Sequence, residues 1–225
     1  MQPNNRIAVI IPYYNALRYL KRCVGSLLIH SPSHLKICII DNASEQHVST
    51  VIEDDNIIKI RNKQNLGFTK AVNQGIERFP QSDIVLMNSD CEVTKNWLNP
   101  LIGCVYSGPR VALACPRHIT ARGDTSINRL TSPSPKKNKN GYRLMIWAGF
   151  TAVYIRRDAL NDVGLLNEKL WHYSSDENWC RMATAKGWKI LWQPDSKVKH
   201  IGAASYVELI RRDPKTAKKK VNPKI

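Results

Sequence analysis

The chain has no hydrophobic run long enough to cross a bilayer: the longest, Met145 to Ile155, is about half the roughly 20 residues that a spanning helix needs. Its N-terminus lacks the apolar core of an export signal. Together these absences predict a soluble, unexported protein. No Cys-x-x-Cys pair occurs among the six cysteines, at 23, 38, 91, 104, 115 and 180. Most of them sit in apolar runs, where a free thiol packs as a small hydrophobe. Reduced thiols in the cytoplasm, with no structural zinc, are the expectation. Also missing are a Gly-x-Gly-x-x-Gly after the first apolar run and a Gly-x4-Gly-Lys-Ser/Thr, which counts against dinucleotide oxidoreductases and P-loop enzymes.

Acidic residues are scarce, 18 against 34 Lys plus Arg, for a net charge of +16. The excess is local: Arg129 to Arg143 holds five basic and no acidic residues, and Arg211 to Ile225 holds seven basic and one acidic. Such clusters attract nucleic acid, an anionic membrane surface or an acidic acceptor polymer without distinguishing among them. The Ser/Pro/Lys/Asn-rich stretch 120–140 has no apolar periodicity and reads as a long surface loop, either a lid over a ligand or a disordered insertion. Residues 211–225 read as a flexible basic tail on a single domain, 1–210.

What the chain does have is a size of 225 residues and 43% hydrophobic content, sufficient for one substantial core. Apolar runs at Ile7–Ile11, Ile37–Ile40, Ile57–Ile60 and Ile84–Met87 alternate with segments long enough for crossover helices, the pattern of a parallel α/β sheet. After Asn65-Leu66-Gly67, a helix is expected with Phe68, Ala71, Val72, Gly75, Ile76 and Phe79 on one face and Pro80 at its exit. Continuous apolar strands imply a sheet covered on both faces, so the ligand crevice is expected at the carboxyl ends of the strands.

The residues at those ends carry chemistry. Pro12-Tyr13-Tyr14-Asn15 follows the first run, where Pro12 is expected to stop the ladder and free the next residues to meet a ligand. Asp41-Asn42-Ala43-Ser44 follows the second, with Asp41 set either to cap the next helix or to accept a hydrogen bond from a pyrimidine N–H. Asn88-Ser89-Asp90 follows the fourth. An acidic group there suits Mg2+ or Mn2+ held against a diphosphate, with Asp90 as the ligand and Glu92 either assisting through water or merely solvated.

These pieces, with the distant Asp176 and His200, resemble a family 2 glycosyltransferase of the GT-A fold, of the inverting, rhamnosyltransferase-like type that builds cell-surface polysaccharide. Such a fold is Rossmann-like, with a mixed, mostly parallel central sheet flanked by helices. Asn65-Leu66-Gly67-Phe68 and Asn73-Gln74-Gly75 match the family's Asn-x-Gly-Phe-(x)4-Asn-x-Gly pattern, which implies backbone N–H groups near the nucleotide; capping by Asn65 and close packing at Gly75 are the structural alternatives. Asn88 stands in the first position of an otherwise Asp-x-Asp motif.

The resemblance makes Gly149, after Trp147-Ala148, a point of close approach for the donor sugar, on a strand expected to run to Ile155. It makes Asp176, in Ser174-Ser175-Asp176-Glu177, the general base at the start of a helix ending near Lys186, although Asp176 also suits an N-cap and Glu177 is the fallback base. His200, in His-Ile-Gly-Ala-Ala-Ser, is expected to complete the metal shell, and its nitrogen tilts preference toward manganese. Trp171, His172 and Tyr173 suit an acceptor platform or core packing. The implied reaction moves a sugar from a UDP- or dTDP-sugar to a glycan, lipid-linked or protein acceptor, with the basic segments at a membrane surface and nucleic acid disfavoured. The alternatives are a nucleotidyltransferase on a related fold and a non-enzymatic polyanion binder.

Overall fold

The computed structural model describes residues 3, 6–54, 57–120, 141–170 and 174–202. The four expected strands open the chain as β1 (Ile7–Tyr13), β2 (Lys36–Asp41), β3 (Ile57–Arg61) and β4 (Asp83–Met87), interleaved with α1 (Leu17–His30), α2 (Val48–Val51) and α3 (Phe68–Arg78). They pair in parallel, in the spatial order 3-2-1-4. Next come β5 (Cys91–Val93), α4 (Leu98–Val105), β6 (Val111–Ile119), β7 (Arg143–Met145), β8 (Ala152–Ile155), α5 (Arg157–Val163), α6 (Ser175–Ala185) and β9 (Lys189–His200). β8 joins antiparallel to β4, β6 follows antiparallel to β8, and β9 lies parallel to β6 with β5 and β7 along its other side. No described helix is long and apolar enough to cross a membrane.

Both faces of the sheet are covered, as the continuous apolar strands require. Alternate residues of β1 point oppositely: Ile7, Val9, Ile11 and Tyr13 join α1 and α4 in one core, and Ala8 and Ile10 join α3, α5 and α6 in the other. Helix α3 packs tightly, because a Cβ at Gly75 would collide with Cγ2 of Ile10. Here the glycine serves contact with the sheet.

Two expectations about strand ends need correction. Pro12 does not stop the ladder: in register it faces Ile40, and Tyr13 faces Asp41. Because the alternation runs on through Pro12, the Tyr13 ring lies on the core side, 1% exposed, and Tyr14 is the exposed tyrosine. At Gly149, the strand begins later than expected, at Ala152.

Strand β9 reaches the crevice by a detour. Its register against β6 jumps from Pro116 opposite Gln193 to Arg117 opposite Lys197. Pro194, which has no N–H for a ladder, lies inside the jump. Ser196 Oγ donates to Trp97 O at 2.6 Å and pins the detour beside α4. The realigned end then pairs with β5, placing His200 opposite Cys91.

Candidate functional site at the carboxyl ends of the strands

The rim above β2 and β3 is a closed polar wall. Asp41 is fully buried. Its Oδ1 accepts Ser44 N–H at 2.8 Å, and its Oδ2 accepts Val48 N–H at 3.1 Å and Arg61 Nη1 at 2.6 Å. Arg61 Nη2 also donates to Ser44 O at 2.9 Å. With no exposed surface and three donors engaged, the carboxylate holds the 42–48 turn and the end of β3, which is the capping role of the two expected of Asp41. Asn15, at φ 53°, joins this wall: its N–H donates to Ser44 Oγ at 3.0 Å and its Oδ1 accepts Glu45 N–H at 2.7 Å.

Side-chain amides continue the wall toward α3. Asn42 Nδ2 donates to Asn65 Oδ1 at 2.9 Å and to Gly67 O at 3.1 Å, while Asn42 Oδ1 accepts Leu66 N–H at 3.0 Å. Asn62 Nδ2 donates to Asn42 Oδ1 at 3.0 Å, and Asn62 exchanges bonds with Gln74 at 2.9 and 3.0 Å. Asn65 Oδ1 also accepts Gly67 N–H at 2.9 Å. These bonds shape the turn in which Gly67 takes φ 83°, a backbone that glycine adopts without strain. Phe68 follows as the first residue of α3, half-buried against the α3-side core.

Asn73 is placed differently from expectation. It is 2% exposed, and both ends of its amide engage Leu166: Nδ2 donates to Leu166 O at 2.9 Å and Oδ1 accepts Leu166 N–H at 3.0 Å. From the buried face of α3, Asn73 tethers Leu166; the structure shows this contact where a nucleotide contact was expected.

The end of β4 is where donor atoms converge. Asn88 N–H donates to Thr151 O at 2.8 Å, and Asn88 O accepts Cys91 N–H at 3.1 Å, making the tight turn that holds Ser89 and Asp90. Asp90 and His200 meet there, with Oδ1 to Nε2 at 3.3 Å. Two ligands at about 2.1 Å from one cation and roughly at right angles lie about 3 Å apart, so this separation fits a shared divalent ion. Asp90, Cys91 and His200 offer ligand atoms within 4.8 Å of one another. The thiol is the poor member of the three: burial first, then the charge of Asp90, raises its pKa well above the ordinary value, and its Sγ donates to Thr151 O at 3.4 Å. An oxygen and an imidazole nitrogen remain, a donor set that suits Mn2+ or Mg2+. Behind them His118, ring centroid 6.4 Å from that of His200, has its pKa lowered to about 4 by burial and then by His200. Glu92 pairs with Arg22 at 2.6 Å.

Across the 149–151 turn lies Asp176. A Cβ on Gly149 would stand 3.7 Å from Asp176 Oδ2, and Thr151 O links the same turn to Asn88 and Cys91. Asp176 is the second residue of α6, and its Oδ1 accepts Glu177 N–H at 2.9 Å. The N-cap position itself falls to Ser174, in a left-handed conformation at φ 65° and with no side-chain cap bond. Trp171, His172 and Tyr173, the 121–140 stretch and residues 203–225 lie outside the described residues.

Sequence reasoning missed Arg61, Asn62, Thr151 and His118 as parts of this rim. Arg61 alone left a legible signal: parallel pairing of β2 with β3 puts it opposite Asp41.

A sequence model described as glycosyl transferase family 2 matches residues 8–164. The glycosyltransferase AglE of Haloferax volcanii is 22% identical over 202 residues, covering 84% of this chain and 64% of that protein. The N-acetylgalactosaminyltransferase 7 of Drosophila melanogaster is 32% identical over 111 residues, 45% of this chain and 19% of that protein. Among solved structures, GalNAc-T7 with UDP, GalNAc and Mn2+ superposes with a TM-score of 0.73 at 19% identity, over 92% of this chain and 47% of that one. S. aureus TarS 1-349 in complex with UDP gives 0.70 at 17%, over 95% and 68%. The chain thus spans less than two thirds of either curated relative, and its fold is shared with both solved neighbours.

Proposed function

Since the chain belongs to glycosyl transferase family 2 and has the GT-A fold, we propose that it moves a sugar from a nucleoside-diphosphate donor to an acceptor hydroxyl, with inversion at the anomeric carbon. The observation that carries this reading is the convergence of Asp90 Oδ1 and His200 Nε2, 3.3 Å apart, at the carboxyl end of β4, one turn of chain from Asp176. Asp90 and His200 would hold a divalent cation, which when bound offsets the charge on the departing diphosphate. The N–H groups of the first turn of α3, after Gly67, would donate to the same oxygens. Asn88 and Ser89 shape the turn beneath them.

Asp176 accepts the proton of the acceptor hydroxyl as its oxygen attacks, a contribution of about 10²–10⁴-fold for a well-placed carboxylate. A single displacement from the face opposite the leaving group inverts the centre. Gly149 leaves room beside Asp176 for the sugar. A uridine diphosphate donor is favoured by the UDP named for both solved neighbours. Residues 1–210 form the catalytic domain, and the basic segments bring it to an anionic surface carrying the acceptor.

Thermal unfolding against UDP, dTDP, GDP, CDP and ADP, with and without Mn2+, tests the reading. A ligand at 100 times its Kd adds about 2.7 kcal/mol of stability, roughly 5–11 °C for a domain of this size. A metal-dependent shift with UDP that vanishes in Asp90→Ala supports it. Stabilisation by heparin or nucleic acid with none from any nucleotide overturns it in favour of a polyanion binder.

A further inference from the structure

Helix α3 makes polar attachments that the proposed chemistry does not use. Besides its two bonds to Leu166, Asn73 Nδ2 donates to Glu168 Oε1 at 3.1 Å. One turn earlier, Thr69 Oγ1 donates to Leu170 O. From the other side, Trp179 Nε1 of α6 donates to Gly164 O at 2.9 Å. The stretch from Gly164 to Leu170 is thereby held between α3 and α6 by side chains gripping its backbone. It is also the stretch that leads into Ser174 and the first turn of α6, where Asp176 sits.

The grip is buried: Thr69 is 1% and Asn73 2% exposed. Water has no room to replace a lost partner there, so removing the Asn73 amide strands an N–H and a C=O of Leu166 and lets the segment shift to recover them. On the proposed function, α3 begins at the donor, with Gly67 as its N-cap and Phe68 as its first residue. On that reading one rigid helix carries a donor-facing end and, one to two turns on, the attachment of the chain that enters the helix of Asp176.

We infer that Asn73, with Thr69, is a positioning residue for the transfer step: by clamping the Leu166–Leu170 backbone to α3 it sets where Asp176 stands relative to a donor bound at the start of that helix. The inference rests on Asp176 being the base. A base must come within about 3 Å of the proton it takes, and a misplacement of about 1 Å costs on the order of 10²-fold in rate. Loss of the clamp therefore lowers kcat and spares donor affinity.

The test compares Asn73→Leu, Thr69→Val, Thr69→Ser and Asp176→Asn with the parent. UDP affinity is measured by calorimetry with Mn2+, UDP release from UDP-glucose, UDP-galactose and their N-acetylamino counterparts gives kcat, and an unfolding curve gives the folded fraction. The clamp predicts release about 10- to 100-fold slower per folded molecule in Asn73→Leu, a smaller loss in Thr69→Val rescued in Thr69→Ser, and a UDP Kd within about threefold of the parent throughout. Lower thermal stability with unchanged kcat per folded molecule overturns it, and so does a Kd that weakens in step with kcat. Should Asn73→Leu fail to fold, the Thr69 pair decides. Parental release by Asp176→Asn sinks the base assignment; a dead Asp176→Asn beside fully active Asn73→Leu and Thr69→Val sinks the clamp alone.

Discussion

The β2–β3 rim and the β4–β9 rim stand at the same end of one sheet, and both carry motif residues, yet they are built oppositely. At the first, Asp41, Asn42, Asn62, Asn65 and Gln74 satisfy one another and the local backbone. At the second, Asp90 and His200 bring an oxygen and a nitrogen to 3.3 Å, a separation that fits a shared cation. A buried network that is fully satisfied rigidifies, whereas the second rim pairs two groups able to take a metal. The lesson is that motif residues at a strand end divide into those that build the wall and those held out for chemistry.

Four substitutions break or sharpen that contrast. The largest effect belongs to Asp176→Asn, where UDP release from a sugar nucleotide should fall about 10²–10⁴-fold while UDP binding, read by calorimetry, is kept. On the wall, Asp41→Ala leaves Arg61 and two backbone N–H groups without their acceptor. Its unfolding midpoint should drop by roughly 6–12 °C, for a loss of about 3 kcal/mol, with the Mn2+ response intact in the folded fraction. Asp90→Ala should reverse that pattern: the Mn2+-dependent stabilisation by UDP, about 2.7 kcal/mol at 100 times Kd, disappears with much less change in the ligand-free midpoint. His200→Ala should be milder, raising the Mn2+ concentration for half the effect by roughly tenfold, about 1.4 kcal/mol. An unchanged metal titration would reassign His200 to the wall.

The cysteines give a comparison at the level of the whole core. All six are free and buried, and burial pushes the thiols of Cys38 and Cys104 up to about 12. A thiol reagent at pH 8 should therefore count almost none in the native protein and six after unfolding. Rapid reaction of Cys91 in the native state would show that the β4–β9 rim opens further than its geometry implies.

Much of this was legible beforehand because it rests on local regularities. The β1, β2 and β4 runs, the α3 face ending near Pro80 and the helix after Ser174 all follow from apolar period and punctuation. Asp90 was readable from its place at a strand end, and His200 only from the resemblance of its His-Ile-Gly-Ala-Ala-Ser stretch; the structure brings the two to 3.3 Å. What misled was also local: Pro12 suggested a stop, but a parallel ladder tolerated it and carried the alternation one step further, burying Tyr13. Asn73 and Asp41 sat in the right motifs, yet nothing adjacent along the chain announced Leu166 as the partner of Asn73, and Arg61 was legible only through the pairing of β2 with β3.

By itself, the sequence determined an α/β sheet covered on both sides and a set of polar residues at its carboxyl edge, because hydrophobic period and chain punctuation are properties of adjacent residues. Only the tertiary structure decided which of those residues are enclosed in the wall and which meet one another. The detour of β9 around Pro194 brings His200 to Asp90, and the return of the chain past α3 sets Leu166 on Asn73. Both depend on contacts between segments far apart in sequence, where packing and hydrogen-bond satisfaction in three dimensions, and not local propensity, fix where a side chain ends.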